Sequence, residues 1–151
     1  MKASIAILLL TAILFTSCDK NKRASKRFMR PGKWKFVELS VDGSPISQPQ
    51  YIKVEDCDIY DTLCMATWDR GEEFSRIYWQ FNDKAERFSI SRIVDTADCA
   101  DFYTELAEQQ TYRFSGDYKV LETKRKSKVF ESYETLGYPG DKVLIRLEWY
   151  E

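Results

Sequence analysis

Histidine is absent from all 151 residues. This removes the side chain most often used as a general acid–base and as a zinc ligand. Catalysis would then fall to Asp, Glu, Cys, Tyr or Lys, and the sequence sets none of these in a recognisable catalytic pattern. There is no Gly-rich phosphate loop, no Gly-x-Ser-x-Gly elbow and no EF-hand loop. Glu72 and Glu73 are adjacent, so on a strand they would point to opposite faces and make a poor catalytic pair. Glu55, Asp56, Asp58 and Asp61 carry the oxygen ligands that calcium prefers, but their spacing matches no standard loop and reads as a solvated acidic turn. The expectation is a protein that is not an enzyme and has neither cofactor nor metal. Long apolar runs are missing beyond the N-terminus, so no membrane-spanning helix is expected in the body of the chain. Internal repeats and low-complexity tracts are missing too.

What is present begins with an export signal. Lys2 is the only charge before Asp19, and Ala3 to Phe15 is an apolar run broken only by Ser4 and Thr11. That length suits a signal-peptide core and falls short of the roughly 20 residues a span needs. Leu14-Phe15-Thr16-Ser17-Cys18 resembles the lipobox of bacterial lipoproteins. The resemblance implies cleavage before Cys18 and acylation of that cysteine, with residues 1–17 as signal peptide. Two or more acyl chains anchor a protein stably. The expected location is the cell envelope, with the outer membrane preferred and the folded domain in the periplasm or at the cell surface. Residues 18–31 are rich in cations and read as a flexible basic tether, solvated or lying against anionic head groups.

Charge divides unevenly between tether and body. Residues 19–35 hold eight Lys or Arg against one Asp, whereas residues 36–151 hold fourteen against twenty-three Asp or Glu. The body therefore carries an excess of nine negative charges, which disfavours nucleic acid as a partner. Three cysteines follow Cys18, namely Cys57, Cys64 and Cys99. In an oxidising compartment two of them are expected to pair. Cys57 and Cys64 bracket a short polar loop and can meet across it. Cys99 is then the odd thiol.

The body, residues 32–151, reads as one β-rich domain. Trp34 and Phe36 alternate, and Leu39 and Val41 continue after a phase slip that marks a bulge. Asp42-Gly43 is a turn signal, and Tyr51 to Val54 and Met65 to Trp68 are short strands. Ile77, Trp79 and Phe81 share one strand face, Asn82-Asp83-Lys84 turns the chain, and Phe88 and Ile90 return. Asp98 to Gln110 has helical spacing, with Cys99 facing the core. Strands resume at Tyr112 to Ser115, Tyr118 to Thr123 and Ser127 to Ser132. Gly137 to Asp141 reads as a loop. Val143, Ile145, Leu147 and Trp149 share a face of the last strand. About eight or nine short strands with hairpin turns and one short helix predict an antiparallel up-and-down β-barrel.

Gly32-Lys33-Trp34 resembles the Gly-x-Trp that opens the first strand of lipocalins, and Phe114 to Val120 is similar to the late hairpins of that family. The body is thus similar to the lipocalin-like domains of small Gram-negative lipoproteins. The resemblance implies a barrel with a closed end and an open mouth that binds a small apolar or amphipathic ligand. It also implies that a late-strand arginine, here Arg146, packs on Trp34. Trp34, Phe36, Trp79, Phe81, Phe88 and Phe114 would line the interior and meet that ligand. The alternative is a solid barrel serving as an interaction or inhibitor module for an envelope protein. Its binding surface would then lie on loops such as Cys57 to Cys64 and Tyr133 to Asp141.

Overall fold

The computed structural model describes residues 20–55, 57, 63–93 and 106–151. The expected signal peptide, Cys18, Cys99 and most of the loop between Cys57 and Cys64 lie outside the described residues, as do Asp56, Asp58 and Asp61.

The strands are β1 (Lys33–Val41), β2 (Ser44–Pro45), β3 (Tyr51–Val54), β4 (Cys64–Asp69), β5 (Phe74–Asn82), β6 (Arg87–Arg92), β7 (Gly116–Glu122), β8 (Ser127–Thr135) and β9 (Tyr138–Trp149). Apart from the two-residue β2, which pairs only with β1, each strand pairs antiparallel with the next. β9 returns to pair with β1, from Trp34 opposite Trp149 to Val41 opposite Val143. The result is the closed, eight-stranded, up-and-down antiparallel barrel that the alternation predicts, with no free edge along that seam. The phase slip in β1 is a register shift between Phe36 and Glu38. It lets Trp34, Phe36 and Leu39 all turn inward, where each is buried. The β5–β6 hairpin turns through Asp83–Ala85, whose three residues all have left-handed φ.

Three elements differ from the sequence reading. Residues 20–29 form a helix, α1, where a flexible tether is expected. The reason is Phe28, which is 0% exposed and inserts into the aromatic core. Gly32, at φ +67°, follows the helix, and its N–H donates to the Met29 carbonyl at 2.8 Å, a hydrogen bond that closes the last turn. The described part of the second helix, α2, is Leu106–Arg113. It takes in Tyr112 and Arg113, which the alternation places on a strand. Gly137 to Asp141 is mostly the start of β9, not a loop. Pro139 is tolerated there because β1 pairs with β9 only from Val143 onward, which leaves one side of this stretch unpaired by β1.

The two helices sit at opposite ends. The first residues of β1, β4, β6 and β8 lie at the α1 end, together with the last residues of β3, β5, β7 and β9. At the other end α2 contacts β4, β5 and β6.

Candidate functional site

The six residues expected to meet a ligand are all in the interior, and all are at least 95% buried. All six belong to two ring clusters. At the α1 end, Phe28 stacks on Trp34 with ring centroids 5.4 Å apart and meets Trp79 edge-on at 4.9 Å. It also contacts Phe81 and Phe88, and Phe88 stacks on Phe130 at 4.3 Å. Towards the α2 end, Phe36 meets Trp68 at 4.9 Å and Phe114 stacks on Trp68 at 6.0 Å. The expected lining residues therefore pack on one another, as side chains filling a small barrel do. Sequence reasoning missed Phe28, the ring that brings Trp34, Trp79, Phe81 and Phe88 together.

The caps supply hydrogen-bond partners to a buried indole at each end. The Trp34 indole N–H donates to the Phe28 carbonyl at 2.8 Å, which satisfies an acceptor that a helix C-terminus leaves open. The cation over Trp34 comes from Lys128 of β8, whose Nζ lies 4.6 Å from the ring. Arg146, implied for that role by the lipocalin resemblance, lies outside the barrel, with its Nε 3.3 Å from Glu38. At the α2 end, Gln110 is buried and its Oε1 accepts from the Trp68 indole at 3.2 Å and from Arg70 at 3.0 Å. Its Nε2 donates to the Ser47 carbonyl. One amide thus ties α2 to β4 and to the loop after β2.

Lys128 is only 2% exposed, and its ammonium donates to the carbonyls of Lys124 and Ser127. Burial, reinforced by the Arg27 guanidinium, lowers its pKa to about 8 against an opposing pull from Glu122. Lys128 lines a cleft of about 240 Å³ between α1 and the barrel end. Lys20, Arg23, Arg27 and Lys84 line it too, with Phe81 beneath. A second cleft of about 340 Å³ shares Arg27 and Thr123 with the first and adds Arg30, Arg125 and Trp149. Among the described residues, no carboxylate lines either cleft.

Cys57 and Cys64 are disulfide-bonded, with Cα atoms 5.4 Å apart. The bond closes the β3–β4 connection at the α1 end. At the opposite end Phe74, Tyr112 and Leu136 are exposed. Leu136 is bound through its N–H to the Ser115 carbonyl. Among the described residues, no group of three or more His, Cys, Asp or Glu side chains converges as a metal site, and no helix is long and apolar enough to cross a membrane. The chain matches no protein-family model, no curated protein and no solved structure.

Proposed function

We propose that this chain is a lipoprotein of the bacterial envelope, held by acyl groups on Cys18, whose solid barrel works as a protein-interaction module through its α2 end. The observation that carries this reading is the packing of Phe28 against Trp34, Trp79, Phe81 and Phe88. Where a ligand would enter at the α1 end, a ring of the chain itself occupies the space. Binding then falls to the surface. The exposed apolar side chains at the α2 end favour it, since Phe74 is 64% and Leu136 59% exposed on otherwise polar connections. Leu136 belongs to the Tyr133 to Asp141 segment that the sequence marks as a binding loop.

The lipocalin-like relationship is part of this proposal. It is supported by the up-and-down barrel, by Gly32-Lys33-Trp34 at the start of β1, and by a cation over the indole. The family's small-molecule binding is the rival reading.

Photo-crosslinking tests the proposal. A benzoylphenylalanine at Leu136 or Phe74 of the full chain in cells should give one discrete protein adduct, and the same probe at Met65 on the barrel wall should not. No adduct at either position, or equal adducts at all three, would overturn the interaction role. Saturable uptake of an uncharged lipophile that alters the emission of the buried tryptophans would overturn the solid barrel.

A further inference from the structure

The clefts at the α1 end collect positive charge in a way that a solvated surface does not require. Lys20, Arg23 and Arg27 recur at i, i+3 and i+7, so α1 sets three cations on one face. Like charges at such spacings destabilise a helix. The facing wall adds Lys84 and Lys128 and no carboxylate among the described residues. Of the acids near this end, Asp83 pairs with Arg87 at 3.6 Å, Glu151 with Lys126, and Glu122 with Lys124 at 2.9 Å while also attracting Lys128. Lys84 is held at φ +60° in the β5–β6 turn, where Ala85 N–H donates to Asn21 of α1 at 2.6 Å. Left-handed non-glycine backbone is costly and persists where the surroundings fix it. The Lys128 ammonium is held beside the cleft by the carbonyls of Lys124 and Ser127 and lies over the Trp34 ring.

We infer that the cleft between α1 and the β5–β6 and β7–β8 turns binds the phosphate of an anionic phospholipid in the membrane that carries Cys18. This rests on the lipid-anchor reading. Residue 20 is two residues from Cys18, at most about 7 Å of extended chain, so acyl chains on Cys18 set this end of the barrel against the head groups. That is within a Debye length of about 8 Å, where an anionic surface still acts on a cation. The first cleft holds about 240 Å³, the volume of about eight waters at about 30 Å³ each. A phosphodiester with part of its glycerol fits that space. Arg27 borders both clefts and can present its guanidinium fork to phosphate oxygens. An anion there offsets the repulsion between Arg27 and Lys128, and Phe81 and Ala85 give the glycerol an apolar floor.

Native mass spectrometry of the full chain released from a neutral detergent tests this, with short-chain phosphatidylglycerol, phosphatidylcholine and inorganic phosphate as separate probes. Phosphatidylglycerol should form a one-to-one adduct at a concentration about tenfold below that needed for either other probe. Arg27→Gln should raise that concentration about tenfold, as losing a charged hydrogen bond to phosphate does. Lys84→Asn, which suits the left-handed backbone, should act in the same direction. Lys26→Gln, on the same helix but outside the clefts, should leave it within about twofold, like an ordinary surface charge. Equal adducts with both lipids, equal effects of Arg27→Gln and Lys26→Gln, or phosphate binding as tightly as phosphatidylglycerol would each overturn the headgroup site. The intact mass in the same spectrum reads acylation of Cys18, so a missing anchor is distinguished from a missing headgroup site.

Discussion

Phe28 sits in a cation-rich stretch, between Arg27 and Met29, and among the described residues it links the largest cluster of rings. Removing its side chain should cost about 3–5 kcal/mol, as for a buried aromatic whose void cannot fully close. Urea unfolding of the full chain in neutral detergent checks this. A Phe28→Ala change below about 0.5 kcal/mol would mean that α1 is merely apposed to the barrel. Lys128 gives a second test, read through pH. Its ammonium titrates near 8 when folded and near 10.4 when unfolded. Between those values the unfolded chain holds the extra proton, so stability rises with pH across that window. Below pH 8 both states are charged and the full penalty, on the order of 3 kcal/mol, is present. Subtracting the Lys128→Met profile from the wild-type profile should isolate this slope, and a flat difference from pH 8 to 10.5 would contradict it. The inward aromatics were legible because strict alternation reveals them. Phe28 was not, because α1 otherwise reaches the core only with Ala24 and the adjacent Met29, which give no hydrophobic period. Lys128 carried a signal that went unread: it shares the inward phase of Phe130 on β8.

Among the elements, β1 with its bulge, the β5–β6 hairpin and β9 from Lys142 onward follow from the pattern, since each has one buried and one wet face. The caps were harder to see. α2 was partly visible in its Ala, Glu and Gln content. Its end was misread because Phe114, the residue after it, is apolar for a tertiary reason: it stacks on Trp68. Gln110 is what fastens α2 to the barrel. Gln110→Ala would strand the Trp68 indole N–H in the interior and free the Arg70 contact, at a cost of about 1–3 kcal/mol. Hydrogen exchange should show the faster opening confined to α2 and the loop after β2. Faster exchange spread evenly over the barrel would mean that Gln110 is not a local latch.

At the scale of the whole molecule, the reading from sequence was strongest for the barrel and for its disulfide, and weakest for what the barrel contains. Alternation says which residues turn inward but not whether they touch, and here they do. The anchor is tested on the whole chain as well. Cys18→Ser removes the thiol proposed to take the lipid, so on that proposal the precursor should stay uncut or the protein should leave the membrane. Unchanged processing with unchanged partition into Triton X-114 would refute the anchor.

The pairing of β1 with β9 joins residues more than a hundred positions apart, as between Glu38 and Arg146. Synthesis proceeds from the N-terminus, so β1 is made long before its partner. Until the last dozen residues arrive, the seam stands open with two unsatisfied strand edges, at β1 and β8. Such edges invite pairing with other chains, and loop-closure entropy slows the step that removes them. β9 therefore acts as a clasp. A nonsense codon at Lys142 removes only ten residues yet should yield aggregates during refolding, whereas one at Tyr150 spares every β1–β9 pair and should refold as the parent does.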